Sequence, residues 1–336
     1  MIRTVLCDLL GVEHPIIQAG MGPGHNNALC VAVAEAGAQG LLSGHDPAEL
    51  AKGRSYYELT MENIRYVMER TSRTFGQNVP LASDRAQHVI RAVRDARKDP
   101  AIARQLRVFV LSAGFGGPLI GELEGEGMVV GHVVPTVYHA RKVADAGVGF
   151  VIAAGYEGGG HQSSEPVHTF VLTPAVVEAV PMPVVASGGC GDGKTLVAAL
   201  ALGAQGMQMG TRFLATADSD FHPKAKEAIL RAGVTDTIVT RGSFADARML
   251  KGNYSLGLKK LVDAGAPKEE IAAFKARYPT TMGTYGGDVE QGHVPSGQIA
   301  GRIHDLPTAA EVVERVVREA EEILVRLGGL PVASRV

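Results

Sequence analysis

Cysteine, tryptophan and long apolar runs are scarce or missing in the 336-residue chain, and each deficit removes a class of protein. There is no tryptophan, and the only cysteines are Cys7, Cys30 and Cys190. An odd, scattered set supports neither a disulfide framework nor a paired-cysteine zinc site, and it fits a reducing compartment. No stretch of about 18 uncharged apolar residues occurs, and acidic residues interrupt the N-terminal segment before a signal-length apolar core forms. We therefore expect a cytoplasmic protein.

The chain also has little excess of positive or negative charge. The 33 lysines and arginines face 35 acidic residues, which gives a net charge of −2. This balance offers no basic surface for nucleic acid or for an anionic membrane, so we expect neither as a partner. The motifs His-Glu-x-x-His and Gly-x-Ser-x-Gly are absent, so zinc and serine hydrolases lack their residues and no metal is expected. A small-molecule substrate is the expected partner, and the sequence is compatible with a homo-oligomer.

Short apolar runs and segments of helical period are what the chain does contain. Runs that are apolar throughout are typical of parallel strands buried on both faces, and their alternation with helices predicts an α/β fold. Eight such units predict a closed (β/α)8 barrel, with a doubly wound sheet as the alternative. The runs are Ile16 to Ala19, Gly40 to Ser43, Thr74 to Asn78, Arg107 to Leu111, Met128 to Val133, Gly149 to Ala153, Pro183 to Ser187 and Gly206 to Met209.

The alternation stops after Thr211, which suggests a second unit. We expect an inserted, mostly helical substrate lobe at 216–305, and a barrel formed by 1–215 and 306–336. The last helix is indicated by a capping box at Thr308 and Glu311 and by an apolar stripe that runs to Leu327. Thr173 followed by Pro174 predicts the start of another helix.

Active sites of such barrels lie at the carboxyl ends of the strands, so residues directly after each run are candidates. Gly20 and Met21 follow the first strand, and Asn78 ends the third; each is either a turn residue or a ligand contact. The sixth strand leads to three consecutive glycines and His161. Such glycines let the backbone approach a flat ligand, and a histidine there is either structural or a general base that titrates near neutral pH.

Two further strand ends have features of phosphate sites. Gly188 to Thr195 matches the Walker A pattern, between a strand and a helix. A P-loop nucleotide hydrolase is therefore an alternative, although no apolar strand ending in a magnesium-binding aspartate follows. Backbone N–H groups at this helix can equally hold the phosphate of a mononucleotide cofactor. Gln208 to Thr211 follows the eighth strand, where barrels often complete a phosphate site. Two adjacent sites of this kind indicate a phosphorylated cofactor with His161 near its reactive end.

In this order, the segments resemble the nitronate monooxygenase (formerly 2-nitropropane dioxygenase) family and the related flavin-dependent enoyl-acyl-carrier-protein reductases of the second type. One position departs from the pattern, because Ala154 stands where nitronate monooxygenases commonly have a glutamine that contacts the flavin. The matching segments are Pro15 to Met21, Phe75 to Asn78, Ala154 to His161, Val185 to Gly189, Gln208 to Phe213 and Gly287 to Gln298.

The resemblance implies a (β/α)8 barrel that holds FMN noncovalently and has His161 as its catalytic histidine. Its activity would be that of a flavin-dependent nitronate monooxygenase that oxidises nitronates with O2. The alternative on the same scaffold is an NAD(P)H-dependent reductase of enoyl thioesters or quinones. The FMN contacts that the resemblance assigns are Gly20, Met21, Asn78, Gly159, Gly189, Gln208, Met209, Gly210 and Thr211.

Overall fold

The computed structural model describes residues 2–22, 24–241 and 245–329. Eight strands form one parallel sheet, and a bridge between Ile17 and Gln39 joins the two ends of this sheet. The predicted (β/α)8 barrel is therefore confirmed, and each apolar run forms one of its strands. The strands of the described residues, in chain order, are β1 Ile16–Gln18, β2 Gly40–Leu42, β3 Phe75–Pro80, β4 Leu106–Ser112, β5 Val129–Val134, β6 Phe150–Ala154, β7 Gly160–Gln162, β8 Val184–Ser187, β9 Gly206–Met209, β10 Thr237–Arg241 and β11 Asp246–Leu250. The barrel has the strand order β1-β9-β8-β6-β5-β4-β3-β2, and β7, β10 and β11 form a second, three-stranded sheet.

Helices surround the barrel and make up much of the segment that follows β9. They are α1 Val5–Leu10, α2 Asn27–Glu35, α3 Pro47–Ala51, α4 Tyr56–Met68, α5 Ala86–Ala96, α6 Pro100–Gln105, α7 Pro118–Gly125, α8 Val137–Asp145, α9 Thr169–Ala179, α10 Gly193–Ala201, α11 Thr211–Leu214, α12 Pro223–Arg231, α13 Asn253–Asp263, α14 Lys268–Ala276, the 3₁₀ helix η1 Gln298–Arg302 and α15 Ala309–Gly328. No helix in the described ranges is long and apolar enough to cross a membrane.

Alternate strand residues fill the barrel interior, as the two-residue period of a strand requires. Val108 and Val110 from β4, Ile152 from β6 and Val185 from β8 belong to this interior cluster. Leu6 and Leu10 of α1 join it and close the end of the barrel at which the strands begin. The interior is thus a packed core, and the opposite end is left for a ligand site.

The last helix forms where the sequence predicts it. The side chains of Thr308 and Glu311 make the capping box, and Val312 and Val316 are buried against the barrel. The apolar stripe ends earlier than expected, because Leu324 and Leu327 are 42% and 45% exposed.

The predicted start of α9 at Thr173 and Pro174 is wrong. The helix begins at Thr169, and Pro174 lies inside it. The reason is a contact from outside the helix, since the Glu157 carboxylate accepts hydrogen bonds from both the N–H and the hydroxyl of Thr169 at 2.9 Å. The carboxylate provides a hydrogen-bond acceptor for the first turn of the helix. The helix can therefore begin four residues before the Thr173 and Pro174 signal.

The segment after β9 also contains a hairpin that the sequence analysis did not foresee. Strands β10 and β11 pair antiparallel, and β11 also pairs antiparallel with β7, which follows β6 in the barrel. A separate small core of Ala247, Met249, Tyr254 and Leu258 packs beneath the hairpin. The small sheet thus joins the later segment to the barrel mouth. The division of the chain at residues 216 and 305 stays a prediction.

Candidate active site

Polar side chains line the carboxyl end of the barrel. Along each strand they occupy the next inward-facing position after the last residue of the apolar core. Ser112 follows Val110 by two residues and Ser187 follows Val185, so each continues an interior row. The Ser187 hydroxyl donates to Oε1 of Gln208 at 3.0 Å, and the Ser112 hydroxyl donates to Oδ1 of Asn78 at 3.4 Å. We call Asn78, Ser112, Ser187 and Gln208 the polar floor. Ala154, the last residue of β6, pairs with Ser187 beside it.

The loop after β1 lies directly against this floor. A Cβ atom on Gly20 would stand 2.1 Å from Cγ of Asn78, so only glycine allows this approach. The next residue, Met21, is fixed by Ser43 after β2, whose hydroxyl accepts from the Met21 N–H at 2.8 Å and donates to its carbonyl at 2.5 Å. A Cβ on Gly210 would lie 4.0 Å from Sδ of Met21, so the loops after β1 and β9 are neighbours.

The loops after β6 and β8 pack through glycines. A Cβ on Gly188 would meet the carbonyl oxygen of Gly155 at 2.7 Å, and Gly188 and Gly189 both have positive φ, at 98° and 72°. The Thr169 hydroxyl contacts the carbonyl of Gly188 at 2.9 Å. These contacts fix the turn of Gly188 and Gly189, which follows Ser187 of the polar floor.

The Walker A match does not form a nucleotide-binding loop. Nζ of Lys194 lies 3.2 Å from Glu319 of α15, and the Gly193 N–H donates to the same carboxylate at 2.8 Å. The Thr195 N–H donates to Asp192 at 2.9 Å, while the Thr195 hydroxyl accepts from the N–H of Asp192 at 3.0 Å. The start of α10 is therefore occupied by the protein's own acceptors, and Lys194 is a surface helix residue.

His161 is carried by β7, beside the barrel rather than on one of its strands. Its backbone pairs with Ala247 of β11, which belongs to the hairpin. The side chain is exposed to solvent, yet desolvation by surrounding protein lowers its pKa from the ordinary 6.5. Both observations fit an imidazole inside a cleft that water can enter. The imidazole is therefore neutral at neutral pH and able to accept a proton.

One further basic side chain acts on His161, and His161 in turn acts on another. The positive charge of Arg85 lowers the pKa of His161 further, after desolvation. His293, from the segment after β9, has its pKa lowered to about 4 by burial first and by His161 second. Neither residue was among the sequence-based candidates. Arg85 follows the third strand and the strand-end rule could have flagged it, whereas nothing in the sequence relates His293 to His161.

Arg248 holds the glycine-rich loop that precedes His161. Its Nε and Nη2 donate to the carbonyl oxygen of Tyr156 at 3.1 and 2.9 Å, and its Nη1 donates to the hydroxyl of Thr237 at 3.0 Å. The residue is 5% exposed. These hydrogen bonds from a buried guanidinium group fix the position of the loop. Arg248 was not among the sequence-based candidates, because it lies in the hairpin that the sequence did not predict.

A second segment reaches the mouth just before η1. A Cβ on Gly159 would stand 2.7 Å from the backbone of Ser296 and Gly297, so a side chain there would displace this segment. The Gly297 N–H donates to the hydroxyl oxygen of Thr211 at 2.9 Å. Thr211 thus links the loop after β9 to this segment, and its own hydroxyl hydrogen can still be donated.

The residues at the mouth fit a flavin mononucleotide. A flat ring needs polar groups at its edge and a close backbone approach, which Asn78, Gln208 and Gly20 can supply. A phosphate needs N–H donors, and those of Gly189 and Gly210 have no hydrogen-bond partner within residues 2–22, 24–241 and 245–329.

The structure therefore brings the sequence-predicted candidates to one end of the barrel. Met209 differs from the others, since it is fully buried in the core cluster that packs against the outer helices and contributes backbone only. The candidates at the mouth are Gly20, Met21, Asn78, Gly159, His161, Gly189, Gln208, Gly210 and Thr211.

Comparisons with known proteins agree with this arrangement. Residues 3–319 match the model of the nitronate monooxygenase family. The (3aS,4S,5R,7aS)-5-hydroxy-7a-methyl-1-oxo-octahydro-1H-indene-4-carboxyl-CoA dehydrogenase of Rhodococcus jostii is 32% identical over 98% of this chain and 99% of its own length. A probable nitronate monooxygenase of Staphylococcus aureus is 30% identical over 96% of this chain and 98% of its own.

Solved structures are similar over the same extent. FabK from Thermotoga maritima has a TM-score of 0.87 and 32% identity, covering 98% of this chain and 99% of its own. A nitroalkane oxidase from Streptomyces ansochromogenes has a TM-score of 0.76 and 28% identity, covering 96% of this chain and all of its own.

Proposed function

The chain belongs to the nitronate monooxygenase family, a family of flavin-dependent oxidoreductases, and on this basis we propose that it uses FMN to oxidise or reduce an acyl thioester, with His161 as the group that moves the proton. The observation that carries the proposal is the solvent-accessible imidazole of His161 on β7, the strand that follows β6 of the barrel, with a pKa that burial lowers so that the imidazole is neutral. The Rhodococcus jostii relative favours a thioester, since that protein is named for an acyl-CoA substrate.

The proposed site residues have separate tasks. Asn78, Gln208, Gly20 and Met21 would contact the flavin ring, and the backbones of Gly159, Gly189 and Met209 to Thr211 would complete the cofactor site. When bound, FMN supplies the two-electron transfer that no protein side chain can perform. NADH or NADPH is the proposed electron donor in the reductive direction.

His161 handles the proton that accompanies this transfer. In oxidation, its neutral imidazole takes a proton from the carbon next to the thioester carbonyl; in reduction, it returns that proton. Burial and Arg85 both disfavour the charged form, so the base is available at neutral pH. Arg248 acts indirectly, because it holds the Tyr156 carbonyl in the loop that leads to His161.

Nitronate oxidation with O2 is the second candidate. The family match and the similarity to a nitroalkane oxidase favour it, and a nitroalkane also has an acidic proton that a histidine could take. One observation weighs against it. Ala154 provides no side-chain amide beside the floor, at the position where nitronate monooxygenases commonly place a glutamine.

A stopped-flow experiment on the FMN-loaded protein separates the two candidates. The protein is mixed without oxygen with NADH, with NADPH or with propane-2-nitronate, and the flavin absorption is followed. We expect rapid bleaching by a pyridine nucleotide and return of the colour on adding crotonyl-CoA. Bleaching by the nitronate alone, together with O2-dependent nitronate consumption, would replace the thioester proposal with the second candidate.

A further inference from the structure

Arg85 is a basic residue at the mouth that the proposed mechanism has used only for its charge. It precedes α5 in the loop after β3, where it is half-buried. Its Nη2 lies 3.6 Å from where a Cβ on Gly22 would stand, so its guanidinium group reaches the loop after β1. This loop also contains Gly20 and Met21, which lie against the polar floor.

The guanidinium group of Arg85 has no hydrogen bond or ion pair with any residue that the structure describes. Burial lowers its pKa, and Asp84 and Tyr56 oppose this only through longer-range electrostatic attraction. Other buried arginines are engaged: Arg212 contacts Asp305 at 2.8 Å, and Arg248 holds the Tyr156 carbonyl. A partly desolvated cation without a partner is unfavourable, and such groups occur at sites where a ligand completes the pairing.

The surroundings of Arg85 define the kind of ligand that could do so. Its charge acts on His161 and also on His45, a buried residue whose pKa falls to about 3, mainly by desolvation. Nε2 of His45 is already bonded to the hydroxyl of Thr60 at 2.8 Å. A histidine is neutral or positively charged and cannot neutralise Arg85, so the chemistry of the surroundings favours an anionic ligand as its partner.

We propose that the Arg85 guanidinium group binds the substrate oxygen that gains negative charge when His161 removes a proton from the adjacent carbon. The inference rests on the proposed function and adds a catalytic residue to it. In this step the C–H bond breaks and the proton goes to the imidazole. The electron pair spreads to the thioester carbonyl oxygen, which accepts N–H bonds from Arg85. The step itself is not a redox reaction, and it needs no further reactant.

Acetoacetyl-CoA is a suitable probe because its enolate has an absorption band that the neutral form lacks. We expect the FMN-loaded protein to bind it as the enolate at a pH where the free ligand is mostly neutral. Charge-assisted hydrogen bonds should raise the ratio of enolate to neutral ligand by roughly 10- to 150-fold over that of the free ligand. Arg85→Gln should lose this factor, and Arg85→Lys should retain part of it.

Arg91→Gln is the matched control, since Arg91 lies on the same helix α5 with a side chain that is 78% exposed. It should leave the enolate band unchanged. FMN fluorescence quenching and the melting temperature show whether each variant is folded and loaded, and Arg85→Lys keeps the test valid if Arg85→Gln fails to fold.

The outcomes separate the inference from the proposed function. An enolate band in the wild type that is equal in folded Arg85→Gln, or equal in Arg85→Lys if only that variant folds, would overturn the role of Arg85 and leave the thioester proposal standing. A wild type that binds FMN but gives no enolate band would overturn both. A band that decreases in both Arg85 variants and not in Arg91→Gln would support the inference.

Discussion

The polar floor and His161 lie at the same barrel mouth but are held by different parts of the molecule. Asn78 and Gln208 belong to strands of the eight-stranded sheet, and their neighbours are the adjoining strand ends. His161 lies on β7, whose partner β11 comes from the hairpin that follows the barrel strands in sequence. Cofactor binding and proton transfer should therefore respond to different substitutions.

Arg248 and Gly20 are the positions where this separation can be tested from each side. Arg248 supports the loop that precedes His161 and makes no contact with the floor residues in the hydrogen bonds described above. Gly20 follows β1 and lies against Asn78 of the polar floor. Substitutions at these two positions should affect turnover and FMN affinity respectively.

The largest effect is expected at His161. His161→Ala removes the proton acceptor and should lower kcat by about 100- to 10,000-fold, the usual contribution of a general base, while FMN stays bound. Steady-state kinetics and the flavin spectrum measure both. His168→Ala is the control, because His168 is exposed and lies 3.5 Å from Glu157 in the same region. Full activity of His161→Ala would remove the histidine from the mechanism.

The next largest effect is expected at Gly20. Gly20→Ala places a Cβ 2.1 Å from Cγ of Asn78, so the Asn78 side chain or the loop must move. Overpacking of this kind costs about 1 to 3 kcal/mol, and we expect FMN to bind roughly 5- to 150-fold more weakly. Fluorescence titration with FMN gives the Kd. The matched control is Gly121→Ala, where nothing lies within 4 Å of the added Cβ. Unchanged FMN affinity in Gly20→Ala would separate Gly20 from the cofactor site.

A smaller effect on turnover is expected at Arg248. Arg248→Met keeps a long apolar chain but loses the hydrogen bonds to Tyr156 and Thr237. Leaving buried acceptors without donors costs about 1 to 3 kcal/mol of stability, and the looser loop should reduce kcat more than it changes the Kd for FMN. Arg241→Met on β10 is the control, since its side chain is 57% exposed. Equal losses of kcat and FMN affinity in Arg248→Met would show that the loop before His161 and the cofactor site are not supported separately.

How much of this architecture the sequence reveals depends on how local the signal is. The barrel strands are apolar throughout, and each apolar run is visible in a few consecutive residues. The prediction of eight strands, and of Asn78 and Gln208 as candidates at strand ends, therefore needed only local sequence patterns. His161 could be singled out because three glycines precede it. Its support could not, because β7 and β11 are short and pair across a long stretch of sequence.

The start of α9 shows the same limit. Thr173 and Pro174 carry a local start signal, but a carboxylate from the preceding loop caps the helix at Thr169 instead. Arg85 is an intermediate case. It lies in a strand-end loop, where candidates were sought, but only the fold shows that its guanidinium group has no partner among the described residues.

The smallest expected effect is a shift in pH dependence. Arg85 is the charged group that lowers the pKa of His161, in addition to desolvation. The acid limb of the kcat/KM profile should therefore lie below pH 6.5, because the imidazole loses activity only when protonated. Removing the cation in Arg85→Gln should move this limb to higher pH. An unmoved limb would mean that Arg85 does not act on the proton acceptor.

Titration of the purified chain with FMN tests the proposed site most directly. Flavin fluorescence and the visible spectrum report binding, and no tryptophan is present to quench or obscure the signal. We expect one FMN per chain in the wild type and in His161→Ala, and much weaker binding in Gly20→Ala. Two results would contradict a flavin held at the polar floor beside His161. The first is a wild-type protein that binds no FMN, and the second is a Gly20→Ala variant that binds FMN as tightly as the wild type does.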